Sequence, residues 1–164
     1  MNIFTEIGRM VSRWTPPARA GAAAKDAILP ISVKMFIADS DEEARQLGRR
    51  YYPPYFDLQC SHYESDADPW ADIPEYQDFS RMFANLRKLT DPAELGPFMD
   101  SNLVGSPATI CRRIDQLAAL GFNYFMVSSA TPGTPIELRQ RMMTRFAEEV
   151  CPRYSRAMRR KQAA

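Results

Sequence analysis

Gly105 and Ser106 stand where a short apolar run, Asn102-Leu103-Val104, gives way to Pro107. A serine followed by proline marks a helix start. Free backbone N–H groups at such a start favour an anion, so a phosphate or an organic acid is one ligand class for Gly105 and Ser106. The other reading is plain capping, which needs no ligand. A second polar group, Ser128, Ser129 and Thr131, follows the apolar run Tyr124 to Val127. Hydroxyls in that position can bond a cofactor (Ser128, Ser129) or a substrate (Thr131), or they form an ordinary polar loop. Gly133 supplies flexibility or a positive φ in the same loop. His62, the sole histidine, lies beside Tyr63. It can act as a general base, or it is an exposed loop residue. Trp70, with Tyr76, Phe79 and Phe83, can line an apolar substrate pocket, or belong to an ordinary core or a lid contact. Cys111 has no histidine near it in sequence, so nothing supports a nucleophile there. No His, Cys or Asp cluster has metal spacing, and no metal is expected.

These residues need elements to position them. Ile31 to Ala38 is almost continuously apolar and β-prone, as a buried strand of a parallel sheet is. Ser40-Asp41-Glu42-Glu43 has the capping-box pattern and predicts a helix through Arg50. Pro53, Pro54, Pro69 and Pro74 argue against a long helix and predict an irregular, aromatic-rich excursion from Tyr51 to Tyr76. Gln77 to Leu89 reads as a helix, because Phe79, Met82, Phe83, Leu86 and Leu89 recur at three and four. Asp91-Pro92 starts a helical turn, and Gly96-Pro97 is expected to break it. Asn102 to Val104 reads as a strand. A helix from Pro107 to Leu120 places Ile110, Ile114, Leu117 and Ala118 on one face, with Gly121 as its C-cap. Tyr124 to Val127 reads as a buried strand. Glu137 to Cys151 reads as the last helix, stopped by Pro152.

At the N-terminus, Ile3 to Trp14 reads as a short one-sided helix ended by Pro16 and Pro17. Strands alternating with helices predict βα units and a parallel α/β sheet.

Composition narrows the classes. The chain has 164 residues, 45% apolar and 25% charged, which suits one globular domain. A net charge of +1 builds no field toward nucleic acid or an anionic membrane. The basic tail after Tyr154 has no interleaved aromatics and reads as a solvated terminus. Cys60, Cys111 and Cys151 include no CxxC pair, so the expectation is free thiols in a cytoplasmic protein. The N-terminal apolar residues are interrupted by Glu6, Arg9 and Arg13, unlike a secretory signal. No apolar run is long enough to span a membrane.

Several of these segments together resemble a known family. Leu103-Val104-Gly105-Ser106-Pro107-Ala108-Thr109, Leu117 to Gly121, Phe122 to Val127 and Phe146-Ala147-Glu148-Glu149-Val150-Cys151-Pro152-Arg153-Tyr154 follow one another. This order resembles the C-terminal signature of the bacterial luciferase-like monooxygenases. There a VG[ST]PE-V turn starts a helix, an LxxLGxxxF segment leads into the last barrel strand, and an FAxEVxPRF-like helix ends the domain. Met35 to Arg45 resembles the family's vyVAdTdeEAR strand and helix.

The resemblance implies the last three βα units of a (β/α)8 TIM barrel. It implies a flavin, reduced FMN or in some members coenzyme F420, bound at the strand ends. It also implies oxygenation of a small organic substrate by O2. Gly105, Ser106, Ser128 and Ser129 would then contact the cofactor, and Thr131 and Trp70 the substrate. His62 is the weak catalytic candidate. The expected organisation is residues 1–29 unmatched, 30–155 the barrel portion and 156–164 the tail. A full barrel needs eight strands in about 250 residues. Three legible strands therefore suggest a partial barrel that pairs with a complementing chain or forms a homo-oligomer. The alternative is a truncated, non-catalytic fragment or partner subunit.

Overall fold

β1 (Pro30–Ile37) is the axis of the structure. Val33, Met35, Phe36 and Ile37 are all buried, so its C-terminal half is covered on both faces. This is how a strand inside a parallel sheet reads. The computed structural model describes residues 28–62 and 72–155. The one-sided helix expected over Ile3 to Trp14, the candidate Trp70 and the basic tail lie outside the described residues.

After β1 comes α1 (Asp41–His62), a 22-residue helix. This corrects the expectation that the helix ends at Arg50 and an irregular stretch follows. Pro53 and Pro54 lie inside α1. Each interior proline removes a backbone donor and costs about 3 kcal/mol. The offset is burial. Ala44, Gly48, Tyr52, Phe56 and Cys60 recur every fourth residue and form one buried stripe. Burying a large side chain such as Tyr52 or Phe56 stabilises by roughly 1.5–3 kcal/mol each. Their rings also pack edge-on: Tyr52 meets Phe36 at 4.9 Å and Phe98 at 5.0 Å, and Phe56 meets Phe98 at 4.9 Å.

A 3-10 turn (Pro74–Tyr76) leads into α2 (Gln77–Lys88), close to its expected span. A second 3-10 turn (Pro92–Leu95) is capped by Asp91, whose carboxylate accepts from the Ala93 N–H at 2.8 Å. Gly96-Pro97 does not break the chain there. It opens α3 (Gly96–Ser101), because a proline in the first turn forfeits no hydrogen bond. β2 (Leu103–Gly105) then leads into α4 (Pro107–Ala119), capped by Ser106 as expected. Gly121 has φ +104 and ends that segment in the left-handed region.

β3 (Tyr124–Ser128) follows. It was expected to be buried, but Tyr124 and Met126 are each about half exposed. They share one face of an edge strand, and no described element covers that face. The last helix begins as α5 (Ile136–Arg145), passes through a π-turn (Phe146–Val150) and stays helical over 151–155. Pro152 therefore does not stop it. In the π-turn the Cys151 N–H donates to the Phe146 carbonyl, five residues back. The register shift sits just ahead of a proline that has no N–H to donate.

All three strands are parallel, in the order β2-β1-β3. The first five residues of β1 pair with β3, and its last three pair with β2. The parallel α/β class is thus as expected. The order is not that of consecutive barrel strands, which would set β2 beside β3. β1, the longest of the three, pairs along both of its edges.

Candidate functional site

A parallel sheet delivers all its strand-to-helix loops to the C-terminal ends of its strands, where ligands of α/β folds usually bind. Here those ends carry Asp39 to Asp41 after β1, Ser106 after β2 and Ser129 to Thr134 after β3.

Asp41 organises the first two loops. Its Oδ1 accepts from the Ser106 backbone N–H at 2.7 Å and from Ser106 Oγ at 2.8 Å. Its Oδ2 accepts from Thr109 Oγ1 at 2.8 Å. Asp41 thus lies in the first turn of α1 and at the N-terminus of α4 together. The Ser106 N–H lowers its pKa below the ordinary carboxylate value most strongly. Partial desolvation opposes this, and the Thr109 and Ser106 hydroxyls and the Arg112 charge add to the lowering. Gly105 makes room for this arrangement. A Cβ there would fall 2.7 Å from Thr109 Cγ2 and 2.9 Å from Asp41 Oδ1. The capping box of α1 is also present in a shifted form: the Glu43 N–H donates to Ser40 Oγ at 3.1 Å, and Glu43 accepts from the Asp39 N–H at 3.2 Å.

The third loop is bonded to itself. Ser129, Thr131 and Thr134 are buried, and the Thr131 and Thr134 hydroxyls share a hydrogen bond of 2.6 Å. The Thr134 carbonyl accepts from Arg139 Nε at 2.9 Å, and Gly133 turns the loop at φ +77. Ser128 is half-buried at the end of β3, opposite Lys34.

Beyond the end of β1 a cleft of about 760 Å³ opens between α1 and the last helix. Ile37, Leu47, Leu138 and Met142 give it apolar walls. Its charged lining is unequal: Asp39, Glu43, Glu137, Glu148 and Glu149 face Arg141 and Arg145. Arg145 is already committed, pairing with Asp39 at 2.6 Å and Glu149 at 2.7 Å.

Comparison with known proteins adds a likeness of fold. No family model and no curated protein matches the chain. Among solved structures, it is similar to the crystal structure of the monooxygenase RslO1 from Streptomyces bottropensis. The TM-score is 0.50 at 21% identity, over 94% of this chain and 40% of that one. The chain therefore spans less than half of that monooxygenase.

Of the residues singled out from sequence, Gly105 and Ser106 close or follow β2, and Ser128, Ser129 and Thr131 close or follow β3, all at the C-terminal ends of the strands but on the two sides of β1. His62 is not among them. It ends α1, whose other end is at Asp41, and 22 helical residues put roughly 30 Å between the two. Asp41, Thr109, Asp39 and Arg145 were not singled out. Asp41 carried a signal only as the second residue of a capping box, and its contact with Ser106 spans 65 positions. Among the described residues, no group of three or more His, Cys, Asp or Glu is placed to hold a metal ion, and no helix is long and apolar enough to cross a membrane.

The residues present do not fit the phosphate of FMN. The anion position at the start of α4 already holds the Asp41 carboxylate. The neighbouring cleft has five carboxylates and two guanidinium groups, which repels a dianion. The polar loop after β3 spends its Thr131 and Thr134 hydroxyls on each other.

Proposed function

We propose that this chain is part of a luciferase-like, flavin-dependent monooxygenase that oxidises a small organic substrate with O2. In this reading it supplies strand-end loops to a reaction site whose flavin is held largely by other polypeptide. The observation that carries the reading is that the three motif loops all leave the C-terminal ends of the strands of one parallel sheet. Residues 40–41, 105–109 and 128–134 belong to different sequence segments, yet each lies at the C-terminal end of a strand of one parallel sheet, the side on which α/β folds bind ligands, and the first two are bonded to each other through Asp41. The class itself rests on the residue pattern of 35–45, 103–127 and 146–154. The fold likeness to a monooxygenase agrees with it. Within that class the resemblance implies the last βα units of a (β/α)8 barrel, in which β2 and β3 would be neighbours, whereas in this chain β1 lies between them.

FMN is the proposed cofactor of the complete enzyme, with coenzyme F420 as the other candidate. Bound flavin would supply the electrons for O2 activation. The described residues give this chain a positioning task. Asp41 fixes the loops after β1 and β2 to each other, and the Thr131–Thr134 pair stiffens the loop after β3. Rigid loops at the strand ends are what a cofactor needs to be held and kept from water.

The occupied helix start favours the second reading from the sequence, a partner subunit, over a self-sufficient enzyme. Flavin titration decides the matter. The chain alone should show no saturable binding of oxidised or reduced FMN at high micromolar concentration. Addition of a polypeptide carrying the remaining barrel strands should produce it. Tight binding by the chain alone, lost in Ser106→Ala, would refute the partner role. No binding in either setting would refute the flavin reading altogether.

A further inference from the structure

We draw no further inference here: the strongest candidate, the face of β3 that exposes Tyr124 and Met126 and that no described element covers, is an unpartnered apolar face, and nothing in the structure shows what covers it.

Discussion

Replacing Asp41 by asparagine tests the centre of the site. The substitution keeps shape and one acceptor oxygen but removes the charge. Asp41 now receives three hydrogen bonds of 2.7–2.8 Å, one from a backbone amide at a helix start. A hydrogen bond to a charged group contributes about 1.5–3 kcal/mol when well shielded, and a charge at a helix N-terminus about 0.3–1 kcal/mol. Asp41 is solvent-exposed, so these values are screened and do not add. The expected loss for Asp41→Asn is about 1–2 kcal/mol at neutral pH. Urea denaturation followed by far-UV circular dichroism measures it.

The sign with pH follows from the lowered pKa. The folded state holds the Asp41 proton less tightly than the unfolded chain, whose aspartate titrates at about 3.9. The stabilisation is fully present above that value and is lost as pH falls through the lower folded pKa. The gap between parent and variant should therefore be flat from neutral pH down to about 5 and shrink below about 4. A gap that persists unchanged in acid, or one below about 0.5 kcal/mol at neutral pH, would show that the carboxylate is not the group that joins the two loops.

Three further outcomes follow from the same contacts. Asp41→Ala empties the anion position at the start of α4, so added inorganic phosphate should raise the melting temperature of that variant by more than its general salt effect on the parent. Equal responses in thermal-shift assays would count against the internal-anion account. Gly48→Ala should destabilise by about 1–3 kcal/mol, because the new Cβ would sit 2.7 Å from Met99 Sδ and 3.3 Å from Tyr52 Cε2 inside the core. Chemical denaturation checks this, and a neutral result would mean the α1–α3 contact has room to give. Tyr52→Phe should leave stability unchanged or raise it by about 1 kcal/mol, since the buried Tyr52 hydroxyl has no hydrogen-bond partner among the described residues. A clear fall in melting temperature would reveal a partner for it.

The local chemistry of this chain was legible in its sequence. The Ser106 cap, the Pro107 start, the Gly121 end and the Ser40–Glu43 box each depend on neighbours within a few positions. Backbone donors at a helix end must be satisfied whatever the rest of the fold does. The apolar run of β1 and the parallel α/β class were legible for the same reason. The buried stripe of α1 was also present, as Ala44, Gly48, Tyr52, Phe56 and Cys60 at intervals of four. Pro53 and Pro54 masked it, because a proline penalty is a local quantity and burial is a tertiary one. Pro152 misled in the same way, with the π-turn ahead of it absorbing the missing donor.

What only the tertiary structure decided was which segments meet. The order β2-β1-β3 depends on edge pairing between strands far apart in the chain. The half-exposed face of β3 depends on what is packed over it. Above all, Gly105 and Ser106 read as a plain cap or as an anion site, because a free helix start attracts negative charge. The folded chain answers with Asp41, a carboxylate 65 positions away, and periodicity or spacing carries no trace of a contact at that range. The physical reason is that a cap is satisfied locally, while the ion it attracts is chosen by whatever group the fold delivers to it.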